Sequence, residues 1–301
     1  MIRNDNWARP SQFRAIFGNV LLAGSAVIGT LEAGEAANND KSRYHLLNPT
    51  PRELLREMST DRPDKTESPF TVDAGHFQIE MDLAGYTHDR HNAARTDPRV
   101  ETIAVAPINL KVGLGNAADF QLILQSWNRV RTDDRAAGTI TQNRGYGDTI
   151  ARMKVNLWGN DGGTTAFAVM PFLKLPTSHG QLGNNAVEGG VILPFAMELP
   201  HGWSMGVMTE IDINERASAN GHHPAFVNTI TFGRDIVGWL GGYVEFFGEA
   251  DTESNSDWIG TFDCGFTYAL TKDLQLDAGI NIGLTRAADD LNPFVGISWR
   301  F

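Results

Sequence analysis

Apolar and polar residues alternate at every second position through most of this chain. The C-terminal ten residues show the pattern most clearly, with apolar Val295, Ile297, Trp299 and Phe301 alternating with Gly296, Ser298 and Arg300. Successive side chains of a β-strand point to opposite faces, so this segment has one apolar face and one polar face. The pattern predicts a C-terminal strand that ends on an aromatic residue.

The same period of two predicts twelve strands along the chain. They cover residues 76–83, 108–114, 120–125, 151–157, 167–175, 191–198, 203–213, 226–232, 240–246, 261–268, 274–282 and 292–301. An even number of strands lets an antiparallel barrel close with both chain ends on one side. The predicted fold class is therefore all-β: a transmembrane antiparallel up-and-down β-barrel of about 12 strands, of the bacterial outer-membrane type.

The lengths of the connections predict the orientation of this barrel. The links at 115–118, 159–164, 200–202, 233–236 and 271–273 are short and are predicted to be periplasmic turns. Longer polar links, such as 86–99 and 128–146, are predicted to face outside. Six tryptophans, 127, 158, 203, 239, 258 and 299, fall near predicted strand ends, which is typical of the aromatic girdles at membrane interfaces.

The N-terminal region carries a predicted export signal. Arg3, Arg9 and Arg14 precede an apolar stretch at 15–28 and small residues at 34–37, the order found in secretory signal peptides. Fourteen residues are too few to span a bilayer as a helix, which needs about 20. We predict three regions: a signal peptide at 1–36, an N-terminal periplasmic segment at 37–73 and a β-barrel at 74–301.

The periplasmic segment contains a predicted short helix. Thr50 is a candidate N-cap and Pro51 suits the first helical position of an amphipathic helix that runs to Met58. Its apolar residues Leu54, Leu55 and Met58 would pack as a small hatch inside the barrel mouth or lie on the periplasmic rim. Both alternatives remain open at this point.

Composition supports a barrel and argues against a nucleic-acid partner. The net charge is −11, and a strongly acidic chain repels a phosphate backbone. Hydrophobic residues make up 42% of the chain, yet the mean hydropathy is −0.25, as expected when apolar residues are spread in alternation. The single cysteine, Cys264, cannot form an internal disulfide and is expected to be an inert thiol on an apolar strand face.

Charged residues on the polar strand faces define the predicted lumen. A charge that faces the bilayer midplane costs about 2 to 4 kcal/mol, so these residues should face inward. The inward bases are Lys111, Arg152, Lys154 and Lys174, and the inward acids are Glu80, Asp82, Glu210, Asp212, Glu245, Asp263 and Asp277. The two sets fall largely on opposite arcs of a twelve-strand ring. They would either create a transverse field across a water-filled pore or form salt bridges that close a narrow barrel.

Catalytic and metal-binding roles find less support in the sequence. A phospholipase-like barrel needs a serine and a histidine on its outer face, whereas the outward positions here are overwhelmingly apolar and His76 faces inward by phase. The pairs His88 with His91 and His222 with His223 could ligate zinc or copper, although loop histidines are more commonly solvated. We predict no catalytic residues, no metal site and no cofactor.

Several segments resemble one family of outer-membrane proteins. These segments are Asn48-Pro-Thr-Pro-Arg-Glu-Leu-Leu-Arg-Glu-Met-Ser-Thr-Asp-Arg-Pro63, Ser68-Pro-Phe-Thr-Val-Asp-Ala-Gly-His-Phe-Gln-Ile-Glu80, Lys174-Leu-Pro-Thr177, Glu245-Phe-Phe-Gly-Glu249 and Leu276-Asp-Ala-Gly-Ile-Asn-Ile-Gly-Leu-Thr-Arg-Ala-Ala-Asp-Asp290. They resemble the transporter family named for the MetA pathway of phenol degradation, over nearly the whole chain after the signal. The resemblance implies a barrel that moves small, often aromatic or hydrophobic, compounds across the outer membrane.

The expected function is therefore a channel for small molecules, aromatic or hydrophobic compounds among them, that works by passive diffusion in the outer membrane of a Gram-negative-type bacterium. The expected partners are outer-membrane lipids, the barrel assembly machinery and a small-molecule solute, and not nucleic acid. The assembly machinery is expected to recognise the last strand through Trp299 and Phe301. The alternatives are an outer-membrane enzyme such as a phospholipase-like barrel and a non-conducting structural barrel.

Overall fold

Antiparallel strands make up most of the structure, a computed structural model that describes residues 40–90, 98–180, 182–216, 221–253 and 256–301. The predicted signal peptide lies outside these residues. The strands are β1 (Phe77–Asp89), β2 (Pro98–Val105), β3 (Ile108–Gly115), β4 (Ala118–Leu124), β5 (Trp127–Asp134), β6 (Thr139–Gly145), β7 (Thr149–Trp158), β8 (Thr165–Leu175), β9 (Glu188–Leu199), β10 (Trp203–Glu215), β11 (His222–Val237), β12 (Leu240–Asp251), β13 (Ile259–Thr271), β14 (Leu274–Gly283) and β15 (Leu291–Arg300).

Twelve of these strands close into a barrel, which confirms the predicted fold class. The ring runs from β15 back through β7 and then through β4 and β3 to β1. It closes where β1 pairs with β15, for example at Gln78 with Arg300 and at Met81 with Ile297. Phe301 extends this seam, since Phe77 and Phe301 exchange two backbone hydrogen bonds with N–O distances of 3.1 and 2.9 Å. Closure leaves no exposed sheet edge around the ring.

The remaining three strands, β2, β5 and β6, form a small sheet that pairs with the C-terminal half of β1, residues 84–89. We name it the extension sheet. It was not predicted, and residues 128–146 were wrongly assigned to a loop. Barrel strands β3, β4 and β7 continue into it across short breaks, one of which has Ala106 with a φ of 50°. These strands could not be predicted from the sequence because polar residues such as Arg131, Thr132 and Asp133 occupy both faces. Apolar and polar residues therefore do not alternate along them.

The barrel has polar side chains inside and apolar side chains outside. On β1, Gln78, Glu80 and Asp82 are buried, while Phe77 and Leu83 are exposed. The six predicted girdle tryptophans are all exposed: Trp127, Trp158, Trp203, Trp239, Trp258 and Trp299. This arrangement is the reverse of a soluble protein and is the one expected of a barrel with lipid around it.

The two ends of the barrel differ. At one end, short links such as 159–164 and 200–202 join the strands, and this end also holds the start of β1 and the end of β15. We name it the turn end. The opposite end carries the longer links, such as 176–187 and 284–290, together with the extension sheet, and we name it the loop end.

The predicted helix from Thr50 to Met58 is wrong. Only Arg52–Leu54 forms a single 3-10 turn, its N-cap residue is Pro51, and no side chain caps it. No helix among the described residues is long and apolar enough to span a membrane. Leu54 and Leu55 are half-buried, and Met58 is buried. The helix fails to continue because the Arg56 backbone N–H donates to the Asp73 carboxylate, 3.0 Å away, instead of to a helical carbonyl.

Candidate functional site: the lumen and its plug segment

A stretch of extended chain, residues 56–73, fills the turn-end half of the lumen, and we name it the plug segment. Its two legs meet at the turn end, where Arg56 and Asp73 are hydrogen-bonded. Its tip lies near the midpoint of the barrel, since the Thr66 hydroxyl is 2.7 Å from that of Thr229, which is near the centre of β11. Of the three predicted hatch residues, Met58 is buried within this extended segment, whereas Leu54 and Leu55 lie before it and are half-buried.

Basic residues of the wall contact acidic residues of the plug segment. Lys154 lies 2.9 Å from Asp61, and Lys111 contacts both Asp61 and Glu80, which belongs to the neighbouring wall strand β1. On the same side, the Arg152 guanidinium lies 2.5 Å from Glu67. Each of these side chains is at least nine-tenths buried. Removing one partner of such a buried pair strands the other charge, at a cost of about 3 to 5 kcal/mol.

Acidic residues of β1 and β14, near the closure seam of the barrel, contact a basic residue of the plug segment. Arg62 lies 2.6 Å from Asp82 and 2.7 Å from Asp277. It reaches them by passing over Gly296, where a Cβ atom would meet the guanidinium. A larger residue at this position of β15 would therefore force the arginine to shift.

The tip of the plug segment makes a third set of contacts. The Glu245 carboxylate accepts hydrogen bonds from the Lys65 backbone N–H at 2.7 Å and from the Thr66 hydroxyl at 2.5 Å. The Lys65 ammonium lies 3.1 Å from Asp263 and 4.3 Å from the centre of the Phe247 ring. Ion pairs and hydrogen bonds thus hold the tip against β12 and β13.

The predicted lumen residues do lie inside the barrel, but their charges do not face one another across water. Lys111 pairs directly with Glu80 on the neighbouring strand, and the plug segment supplies further countercharges to both sets. Lys174 is an exception because it pairs near the loop end with Glu188 at 2.6 Å and Asp148 at 3.4 Å. Asp212 is fully buried and Glu210 is half-buried. The expectation of a transverse field in open water is therefore corrected in favour of the second alternative, salt bridges that close the barrel.

Sequence reasoning missed the charged residues of the plug segment. The charged residues alternate in sign within seven positions: Asp61, Arg62, Asp64, Lys65 and Glu67. A run of this kind usually marks a solvated surface, and only its position ahead of a barrel with a charged interior could have indicated a complementary partner.

An inward-facing apolar cluster was also missed. It lies beside the plug tip and consists of Met170, Ile192, Met208 and Val227, with Phe172 and Phe247 packed against them. The Glu67 backbone N–H points at the Met208 sulfur, 3.3 Å away. The available signal was the occurrence of apolar neighbours, as at Phe246-Phe247 and Val207-Met208, where strict alternation requires a polar inward residue.

A network of ion pairs joins the plug segment to the turn end. It consists of Lys41, Arg56, Asp73, Asp161, Asp273 and Arg300, and we name it the turn-end clamp. Burial acts to raise the pKa of Asp161, but hydrogen bonds from Asn116 and Lys41 outweigh it and lower the pKa below 3.8. Burial also acts to raise the pKa of Asp273, but the hydrogen bond and the charge of Arg300 outweigh it, so this pKa is lowered as well. Both carboxylates therefore favour the charged form that the clamp needs.

Histidines contribute little to this arrangement. The His76 ring nitrogen lies 2.7 Å from the Thr50 carbonyl oxygen, where it ties the start of β1 to the preceding segment. Within the described ranges, no group of three or more histidine, cysteine or acidic side chains is arranged to hold a metal ion. His91 lies outside the described residues. The prediction that the chain has no catalytic residues and no metal stays a prediction.

Comparison with known families agrees with this geometry. The family described as "Putative MetA-pathway of phenol degradation" matches residues 60–301, which include the lumen charges and most of the plug segment. The chain belongs to this family. This confirms the resemblance stated from the sequence. No curated protein has a significantly similar sequence.

Two solved barrels share the fold of this family member. The COG4313 outer membrane channel from Pseudomonas putida F1 is 12% identical, with a TM-score of 0.57 over 80% of this chain and 100% of that one. The transport unit of the autotransporter AIDA-I from Escherichia coli is 11% identical, with a TM-score of 0.51 over 75% of this chain and 90% of that one. At such low identity these likenesses establish the fold, that of bacterial outer-membrane barrels, and nothing more specific.

Proposed function

We propose that this protein is an outer-membrane channel that admits small molecules by passive diffusion, with the plug segment as its internal gate. The turn end then faces the periplasm and the loop end faces outside, as the short turns indicate. The supporting observation is the polar interior, in which charged residues such as Asp61 and Arg62 are buried as ion pairs between plug and wall.

The nature of these contacts supports a plug that can move. An apolar core exposes hydrophobic surface when it opens, whereas ionic groups regain their hydration. The attraction within a buried ion pair is largely offset by the desolvation of its charges, so the net free energy of holding the plug is far smaller than the number of ion pairs suggests. The wall itself stays fixed, because a closed ladder of backbone hydrogen bonds holds it.

The inward apolar cluster supports small aromatic compounds that carry a polar group as the substrate class. Its side chains Phe172, Phe247 and Met208 offer an aromatic and thioether surface beside charged groups of the plug tip. A fully apolar solute would displace water from the ionic part of the lumen at a cost, while a phenolic hydroxyl or a carboxylate could hydrogen-bond there. The description of the family by phenol degradation supports the same class.

A reversible crosslink between plug and wall tests the gate. The side chains of Thr66 and Thr229 touch, so cysteines at both positions, with Cys264→Ser to remove the native thiol, should form a disulfide. The reduced protein should give discrete conductance steps in planar bilayers and pass 4-hydroxybenzoate into liposomes. Oxidation should abolish both, and dithiothreitol should restore them.

A second cysteine pair serves as the control. Thr209 and Asn228 are register partners on β10 and β11, so a disulfide between cysteines there joins wall to wall and leaves the plug free. This protein should conduct whether oxidised or reduced. An absence of conductance in the reduced Thr66 and Thr229 variant would favour the non-conducting structural barrel, and conductance that survives its oxidation would show that the plug segment is not the gate.

A further inference from the structure

The outward face of the extension sheet carries a concentration of arginines. Arg129 and Arg131 lie on β5, Arg99 lies opposite Asp133 on β2, and Arg144 lies opposite Arg129 on β6. Residues two apart on a strand, and register partners on neighbouring strands, share a face, so all four guanidinium groups emerge on one side. The outward side is identified by Trp127, which is exposed and in phase with Arg129, whereas Asn128 and Val130 at the alternate positions are buried.

This face has an excess of positive charge. Glu101 and Asp133 are the carboxylates on it, so four arginines face two acids. Glu101 is already shared, at 2.7 Å from Arg99 and 3.0 Å from Arg131. The excess is local, because the chain as a whole has a net charge of −11.

Arg129 and Arg144 are the two arginines that give this face its unmatched charge. Neither forms a side-chain hydrogen bond or ion pair within the part of the chain that the structure describes. Like charges directly opposite each other on antiparallel strands are unfavourable, since their Cβ atoms are about 5 Å apart. An anion bound between the two guanidinium groups would remove this repulsion, and planar guanidinium groups match phosphate oxygens in geometry.

The position of the face relative to the bilayer indicates the source of the anion. Trp127 marks the level of the membrane interface on β5. Arg129 and Arg131 lie two and four residues further out, which is about 7 and 13 Å along the strand at about 3.3 Å per residue. This is the depth of lipid headgroups rather than of acyl chains or bulk water.

We propose that the arginine face of the extension sheet binds the phosphate groups of lipopolysaccharide, the phosphorylated glycolipid of the outer leaflet. Arg129 and Arg144 hold one phosphate between them, and Arg131 and Arg99, bridged by Glu101, border the site. The apolar outward side chains below, among them Val105 and Trp127, contact the acyl chains. The assignment rests on the proposed orientation, in which the loop end faces outside.

Lipid A is the probe for this site, with the purified full chain in detergent micelles and native mass spectrometry or titration as the readout. The wild-type protein should bind lipid A, and binding should weaken as salt rises. Arg129→Gln combined with Arg144→Gln should weaken binding by at least about tenfold. Arg216→Gln, on the loop-end link between β10 and β11 across the ring, is the matched control and should bind as the wild type does.

Three results would overturn the proposal: equal affinity of the double variant and the wild type, equal affinity for lipid A stripped of its phosphates, or an equal loss in Arg216→Gln. Unchanged heat-modifiable migration of the double variant establishes that it is folded. The conductance of the same preparations separates this proposal from the channel function. A protein that binds lipid A but never conducts would refute the channel alone, and a conducting protein with no preference for phosphorylated lipid would refute the lipid site alone.

Discussion

The guanidinium of Arg62 in the plug segment donates two hydrogen bonds to the carboxylate of Asp277 on β14, with N–O distances of 3.2 and 2.7 Å. Both nitrogens of one edge engage both oxygens, the paired geometry in which an arginine binds a carboxylate most specifically. Because Arg62 is 1% exposed, water does not screen this contact. The pair therefore fixes the plug segment to one side of the wall.

Removal of this arginine should release the plug. In Arg62→Gln, the carboxylates of Asp82 and Asp277 lose their shared cation, and the contact should weaken by about 3 to 5 kcal/mol. Displacement of the plug hydrates these acids, so we expect larger conductance and faster tryptic cleavage at Lys65. Arg52→Gln is the control, because Arg52 is 75% exposed where it pairs with Asp273 and such pairs contribute about 0 to 1 kcal/mol. Equal cleavage rates in the two variants would contradict the prediction.

Substitution of the wall lysines tests how their charges are balanced. Lys111→Gln with Lys154→Gln leaves Asp61 buried without the two ammonium groups that contact it. We expect a clear loss of stability towards urea, with unfolding monitored by heat-modifiable migration. Adding Asp61→Asn removes one of the two stranded charges, the other being that of Glu80, and should restore part of the loss, the non-additive result expected of residues in contact. If the lysines instead act across water, the double variant would keep its stability and become more cation-selective.

The extent to which the sequence predicts this structure differs between wall and interior. Strands such as β1 and β15 are predictable because each must present one face to lipid and one to the lumen. This requirement makes apolar and polar residues alternate in the sequence. The extension sheet has no such contrast. At Arg131 and Thr132, polar residues face both sides, and the strand becomes evident only from its pairing with β2.

The interior is harder to predict because its partners lie far apart in the sequence. Asp61 and Lys111 are 50 positions apart, and Arg62 and Asp277 are 215 apart. No local pattern specifies these contacts. The prediction of a helix after Thr50 was wrong for a related reason. Local capping signals favoured the helix, but the Arg56 backbone N–H donates its hydrogen bond to the distant Asp73 carboxylate. The inward direction of Arg152 was predictable, whereas its partner Glu67 was not.

Acidification should loosen the turn-end clamp. The pKa of Asp273 and that of Asp161 are held below 3.8, so these groups contribute stability above that pH and lose it as the pH falls through their lowered values. We expect the plug segment to resist proteolysis at pH 7 and to be cut near pH 3 by pepsin, a protease that is active in acid. Asp273→Asn should reduce this pH dependence, because it removes one of the titrating groups. An unchanged acid response in that variant would show that the clamp does not hold the plug.

Insertion of epitope tags tests the orientation. Residues 135–138 connect β5 to β6 at the far tip of the extension sheet, while 159–163 lies in a turn-end link. A tag after Ala136 should be labelled on intact cells, and one after Gly162 should be labelled only after the outer membrane is permeabilised. Neither insertion interrupts a barrel strand, so both proteins should assemble. Labelling of the second tag on intact cells would reverse the assignment of the two ends.

Deletion of Phe301 should impair assembly more than its modest buried area suggests. The ring is 49% exposed, yet its backbone exchanges two hydrogen bonds with Phe77 and its ring stacks on that of Phe77 at 5.9 Å and lies 4.9 Å from Trp299. The residue thus completes the seam where the first and last strands meet. We expect lower levels of heat-modifiable protein in the outer membrane for the deletion, and near-normal levels for Phe301→Tyr, which keeps the backbone and the ring. If Phe301→Ala, which keeps the two backbone hydrogen bonds but not the ring, assembles as well as Phe301→Tyr, then closure of the seam and not recognition of the aromatic is what the last residue provides.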